Sequence, residues 1–358
     1  MSLEDIDPIR RTTLSDTAVV TAFTAGRNYM AAGLDNGTVF ILSPGGDPIR
    51  ALPAPNGAQM PVSMASKGSH LIIGHSAGMI EYWNLEEGVR ITSFKAHEAS
   101  VTSLIIHDAE TVISSSHDTT IKIWLTTPSP WACQHTLHGH TDIVTKIATH
   151  NNLLASASHD GTCKIWSIPT GQLIHDLATH EGTELRSLAF DGEIIISGNV
   201  QGILRCWNAA DGSFKAIRRS QTSLISHICI EEDVVVTAGA DGKLVAWTKE
   251  GMEVLWSVKA HPFAIDGMEI EDGLVVTGGS CDVVKVWRLG DGTLVKEMGE
   301  KSDAVWKVGF TPDESGNILH AYWNKGAVVD ILSIVSDPYA MTLSADHLPG
   351  LDTGSTTS

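Results

Sequence analysis

A tryptophan returns at a nearly fixed interval through most of this chain, and each time it closes the same kind of short segment. HDTTIKIW ends at Trp124, HDGTCKIW at Trp166, VQGILRCW at Trp207 and ADGKLVAW at Trp247. SAGMIEYW ends at Trp83 and CDVVKVW at Trp287, so the anchors stand 40 to 42 residues apart. One step outward in each direction, DNGTVFIL ends at Leu42 and NKGAVVDI at Ile331. The tryptophan is lost there, but the turn glycine and the β-branched alternation remain. That makes eight units, each of which must cover its neighbour's apolar surface. Within one unit Val101–Ile106, Thr111–Ser115, Thr120–Trp124 and Ala132–Leu137 are β-rich and separated by turn residues, which predicts four short strands.

This pattern resembles the WD-repeat family, whose repeats of ~40–45 residues each make one four-stranded blade of a propeller. The resemblance implies an all-β WD40 β-propeller, with eight four-stranded blades or, alternatively, seven and a satellite. Pro8–Leu14 (PIRRTTL) looks like the fourth strand that precedes each later blade, and the last unit loses its pattern after its third strand, near Leu332. The N-terminal strand is therefore expected to complete the C-terminal blade and close the ring. The expected organisation is a lead over residues 1–7, a propeller over 8–335 and a disordered tail over 336–358, where Ser, Thr, Gly and Asp predominate.

The family holds its blades with a buried chain of His, Ser or Thr, Asp and Trp. Here the resemblance assigns His97, Ser114, Asp118 and Trp124 to one such set and His140, Ser156, Asp160 and Trp166 to another. His261, Thr277 and Trp287 fit a third, with Asp282 one place out of register. The sixth unit keeps Thr237, Asp241 and Trp247 but has Gln221 at the histidine position. The Asp that usually follows the Trp is absent throughout: Asn84, Leu125, Ser167, Asn208, Thr248 and Arg288 stand there.

A narrower resemblance is to the propellers of F-box/WD-repeat substrate receptors of ubiquitin ligases. It rests on eight units, the opening PIRRTTL and a last unit that begins AVWKVGF (Ala304–Phe310). Only seven residues precede Pro8, so no F-box is expected in the chain as read. The positions of that family's phosphopeptide pocket fall on Thr102, Thr145, Arg186 and Ser226 of the strands and on His117 and His159 of the turns. Only one expected arginine is present. The candidate partner-binding residues are Thr102, His117, Thr145, His159 and Arg186, with Trp306 as a further aromatic anchor. Affinity for a phosphorylated peptide is expected to rise as the two imidazoles charge.

Composition narrows the partners. A formal net charge of −18 disfavours nucleic acid and anionic membrane surfaces, and no apolar run is long enough for a membrane span. Five widely spaced cysteines without C-x-x-C read as small apolar residues in a reducing compartment, cytoplasmic or nuclear. Gly74-His75-Ser76-Ala77-Gly78 matches G-x-S-x-G, but that nucleophile elbow needs a strand–turn–helix and this segment reads as strand–turn–strand. His135, His138 and His140 form H-x-x-H-x-H, yet alternation along a strand points neighbours to opposite faces, so no metal is expected. No cofactor, catalysis or small-molecule substrate is expected either. The predicted function is a non-catalytic interaction propeller that binds a protein or peptide, phosphorylated in the substrate-receptor case. The alternatives are a plain scaffold subunit of a complex and, from another class, a propeller hydrolase.

Overall fold

The structure, a computed structural model, describes residues 10–15, 17–26, 28–54, 59–127, 131–178, 182–280, 283–298, 307–312, 318–325 and 328–335. The expectations for residues 1–7, Trp306, Asp282 and 336–358 lie outside the described residues. Every regular element among the described residues is a β-strand. These strands form eight antiparallel sheets of four, here numbered one to eight from residue 20 onward. Seven sheets take four consecutive strands, and the eighth takes the last three and Arg10–Thr13.

Each sheet begins with an inner strand, and consecutive inner strands touch. The series starts at Val20–Ala25, Pro61–Lys67 and Val101–Ile106 and ends at Ile265–Glu271 and Lys307–Pro312, which returns to touch Val20–Ala25. Arg10–Thr13 pairs antiparallel with the final strand, Arg10 opposite Ile331 and Thr13 opposite Val328. Val329 is fully buried and packs with Ala18 and with Val20, Met30 and Leu42 of sheet one, which seals the join.

Between sheets the core repeats. The recurrent tryptophans are all buried, and Trp166 of sheet four packs with Ile113, Ile121, Ile123 and Leu137 of sheet three. Burying such a side chain yields about 1.5–3 kcal/mol, so both faces of every blade contribute. The hydroxyl network predicted for the blades has one consistent direction. Trp124 Nε1–H donates to Ser114 Oγ at 2.9 Å, Ser114 Oγ lies 2.7 Å from His97 Nε2, and His97 Nδ1 lies 2.9 Å from Asp118. Those contacts require a neutral imidazole protonated at Nδ1, and burial of His97 holds its pKa down against the raising effect of Asp118. In sheet four the corresponding distances are 2.9 Å from Trp166 to Ser156, 2.8 Å from Ser156 to His140 and 2.8 Å from His140 to Asp160. In sheet six Gln221 Nε2 takes the histidine's place and donates to Thr237 Oγ1 at 3.2 Å, while Trp247 donates to the same oxygen.

Burial alone would raise the pKa of Asp118. Hydrogen bonds from Thr120 and from the backbone N–H of Glu98 overcome it and hold the group at about 2. A carboxyl depressed in the fold adds stability that is present above its ordinary pKa, near 4, and is lost as pH falls through the folded value.

Sheet two departs from this scheme. Glu81 replaces the lysine that stands two residues before the tryptophan in sheets three, four and seven (Lys122, Lys164 and Lys285). Its buried carboxylate accepts from Trp83 Nε1 at 3.1 Å and from Arg90 at 2.9 Å. Burial would raise the pKa of this acid, but the His75 imidazole 3.9 Å away and the bonds from Trp83 and Arg90 hold it below its ordinary value.

A second set of hydroxyls ties sheet to sheet. Every inner strand of sheets one to seven shifts register one residue past its start, as at Val101/Ser103 and Val144/Lys146. Such a bulge leaves an extra residue outside the ladder. At or next to each of the first six bulges a hydroxyl donates to the first inner-strand carbonyl of the next sheet. Thr21 reaches Pro61 O at 2.6 Å, Ser63 reaches Val101 O at 2.8 Å and Thr102 reaches Val144 O at 2.6 Å. Thr145 reaches Leu185 O at 3.0 Å, Ser187 reaches Ile225 O at 2.9 Å and Ser226 reaches Ile265 O at 2.8 Å.

The turn between the second and third strand of a blade carries Gly78, Gly161, Gly202 and Gly242, with φ between +72° and +82°. A Cβ on Gly78 would lie 2.1 Å from His97 O, so steric room and backbone conformation both demand glycine there. Sheet three puts Thr119 at that position with φ +70°, a costly conformation for a β-branched residue. Thr119→Gly is expected to stabilise the protein by about 1 kcal/mol, the relief of strain exceeding the added chain entropy. Urea unfolding of both proteins measures this, and an unchanged or lower midpoint would show that Thr119 is not strained.

Candidate partner interface

In an antiparallel four-stranded blade the start of the inner strand and the second-to-third turn lie at the same end. That topology brings His117 of sheet three, His159 of sheet four and Arg186 of sheet five to one face of the ring, on three consecutive blades.

Thr102 and Thr145 share this face in sequence terms, but their hydroxyls are committed to the seams. Thr102 Oγ1 also lies 2.9 Å from Ser115 Oγ, and Thr145 Oγ1 also donates to Ala157 O at 3.1 Å. They hold blades together and position the face, leaving no hydroxyl hydrogen for a ligand. In sheet five the bridging role passes to Ser187, which frees the bulge position for Arg186. The Arg186 guanidinium donates to Glu184 Oε2 at 3.0 Å, and both side chains are close to half exposed. An exposed pair of this kind contributes little to stability and can be exchanged for a ligand.

His117 is exposed, and its backbone N–H donates to Ser100 O. His159 is held differently. Its Nε2 is shielded from solvent without a hydrogen bond, 3.8 Å from the same Glu184 oxygen. Burial pushes its pKa down, and repulsion from Arg186 and His117 adds to that against the pull of Glu184 and Asp142. His159 therefore charges at lower pH than an ordinary imidazole, and its share of any gain in affinity lies there.

The other motifs resolve into blade geometry. His75 ends a strand, Ser76 and Ala77 form the turn, and Met79–Asn84 is the next strand. His75 is fully buried with Nδ1 3.1 Å from Gln59 O, so its imidazole is turned to the backbone rather than to Ser76. His135 Nε2 lies 3.0 Å from Pro169 O while His140 faces into its blade. Among the described residues no three His, Cys, Asp or Glu side chains are grouped to hold a metal ion, and no helix is long and apolar enough to cross a membrane.

Three features escaped sequence reasoning. The Glu81–Arg90 pair was signalled by EYW standing where other blades read KIW. The hydroxyl bridges were visible as Ser or Thr near the start of successive inner strands. The pairing of Arg186 with Glu184 was readable from their spacing, but its placement beside His159 depends on three-dimensional packing.

Residues 88–124 and 131–167 match the family model "WD domain, G-beta repeat", and the chain is an all-β WD40-repeat propeller. It is 22% identical over 247 residues to autophagy-related protein 16 of Arabidopsis thaliana, a stretch that covers 66% of this chain and 48% of that protein. It is 32% identical over 162 residues to human apoptotic protease-activating factor 1, covering 41% of this chain and 12% of that one. The matched stretch thus spans less than half the length of either relative. The crystal structure of Chaetomium thermophilum Sqt1 bound to the N-terminus of the ribosomal protein L10 superposes with a TM-score of 0.75 at 17% identity. That match covers 88% of this chain and 96% of that one, and at this identity it speaks for the fold alone.

The electrostatic account of His159 has a direct check. Its imidazole, followed by NMR through a pH titration, should titrate below the ordinary value near 6.5. Arg186→Ala should move the midpoint up and Glu184→Gln should move it further down. A midpoint that ignores both substitutions would mean that neither charge reaches it.

Proposed function

We propose that this protein is an eight-bladed, non-catalytic interaction platform that captures a protein or peptide on the face bearing His117, His159 and Arg186. The carrying observation is a division of labour on that face. The hydroxyls of Thr102 and Thr145 are spent on blade seams, whereas Arg186 and His117 are exposed and His159 lies beside them. Eight four-stranded sheets whose inner strands touch in a closed series support the blade count. Sqt1, a propeller of the same fold, has been crystallised bound to the N-terminus of a ribosomal protein, which supports a peptide-like partner here.

Within that reading the protein resembles a substrate receptor of the F-box/WD-repeat kind, and a plain scaffold subunit is the second reading. The Arg186–Glu184 pair favours modest affinity for phosphate, because the guanidinium must leave a carboxylate to bind one. Cys133, Cys163, Cys206 and Cys229 are free thiols, which supports residence in a reducing compartment, cytoplasm or nucleus.

The experiment is a titration of partners captured by the full chain against wild type, Arg186→Ala and the His117→Ala, His159→Ala double variant. Loss of about tenfold or more in affinity on folded variants is expected, equivalent to about 1.4 kcal/mol. Phosphatase treatment of the partner separates the two readings: weaker binding supports a substrate receptor, unchanged binding a scaffold. Variants that stay folded and bind like wild type would remove this face as the interface.

A further inference from the structure

On the opposite face of the ring the hairpin turns of sheets four, five and six surround a cavity of about 470 Å³. Two of its walls are apolar, Leu153 and Ile230, and the ring of His150 stands at its edge, 6.1 Å from Phe190. The remaining charged lining is three carboxylates and one ammonium, Asp191, Glu193, Glu232 and Lys249.

Lys249 shows what this lining prefers. Its Nζ lies 2.7 Å from Asp191 Oδ2 and 2.7 Å from Glu193 Oε2, and these two bonds push its pKa up. One ammonium against three carboxylates still leaves the cavity two positive charges short. Glu232 is the carboxylate left over: it is exposed and has no hydrogen bond or ion pair among the described residues. The neighbouring Glu231 carries the consequence. Burial pushes its pKa up, the Gly273 N–H partly offsets this, and the charges of Glu271, Glu232 and Asp272 raise it further.

We propose that this cavity binds a guanidinium or ammonium group carried on an apolar stem, with the stem along Leu153 and Ile230 and the head on Glu232 and Glu193. A long basic side chain has this division between apolar stem and charged head, and a guanidinium can bond a carboxylate through two parallel N–H groups. The site is separate from the proposed partner face, which lies at the other end of the blades. Its ligand is an arginine or lysine side chain of a protein, or a small alkylguanidine or alkylamine of the same chemistry.

The test uses the full chain with ¹³C-labelled isoleucine and leucine methyls, titrated with N-acetyl-arginine-N-methylamide, with agmatine and with the neutral citrulline analogue of the first. Saturable shifts at Ile230 and Leu153 are expected from both guanidinium probes and not from citrulline. Glu232→Gln, on an exposed turn, should weaken binding about fivefold or more. Lys249→Met, which releases Asp191 and Glu193 to the ligand, should tighten it several-fold, an effect that loss of structure would not produce. Tighter binding of the acetylated arginine than of agmatine identifies a protein side chain as the source, and the reverse order identifies a small molecule. No saturable shift, equal shifts from citrulline, or Glu232→Gln binding like wild type would overturn the proposal.

Discussion

A four-stranded sheet with apolar residues on both faces cannot be stable alone, because each face needs another sheet against it. In this chain that need is met only sideways, by the sheets before and after in sequence, and a row of such sheets would end in two bare faces. The closed series of inner strands removes both ends. Pairing of Arg10–Thr13 with the last strand joins the two extremes of the described chain in one blade. Everything described at the two faces of the ring depends on that closure, since each face is made from turns of neighbouring blades.

The polar groups serve the same end at two radii. Within a blade the Trp–Ser–His–Asp chain leaves no donor of the tryptophan or imidazole unpaired, where an unpaired buried group costs about 1–3 kcal/mol. Nearer the axis, the Ser and Thr hydroxyls next to the inner-strand bulges cross the seam to the next sheet. The second role limits the partner face. A position that bridges blades cannot also read a ligand, so recognition falls to residues that the seam has released. Arg186 is released because Ser187 carries the bridge beside it.

Most of the fold was legible in the sequence because it is periodic. The tryptophan spacing, the turn glycines and PIRRTTL at the start carried the blades and the closing strand. The histidine networks were legible because His97, Ser114, Asp118 and Trp124 of one unit recur at nearly the same spacing as His140, Ser156, Asp160 and Trp166 of the next. What escaped was relational. Thr102 and Thr145 looked like ligand-facing residues because equivalent positions in a ring share a face, but sequence spacing does not show a carbonyl 40 residues away. The downward shift of His159 was hidden for the same reason: its burial and the approach of Arg186 are set by two different blades. Glu81 was overlooked because the tryptophan anchor hides the charge reversal two residues before it.

Amide hydrogen exchange across the closing pair tests the account most directly. Arg11–Thr13 and Val328–Ile331 should exchange with protection comparable to the strand Ile194–Asn199 in the middle of the ring. Their exchange should also respond to low concentrations of urea as that strand's does, since opening the join exposes both neighbouring blade faces. Rapid exchange at the join, insensitive to urea while Ile194–Asn199 stays protected, would contradict closure as the condition on which the ring depends.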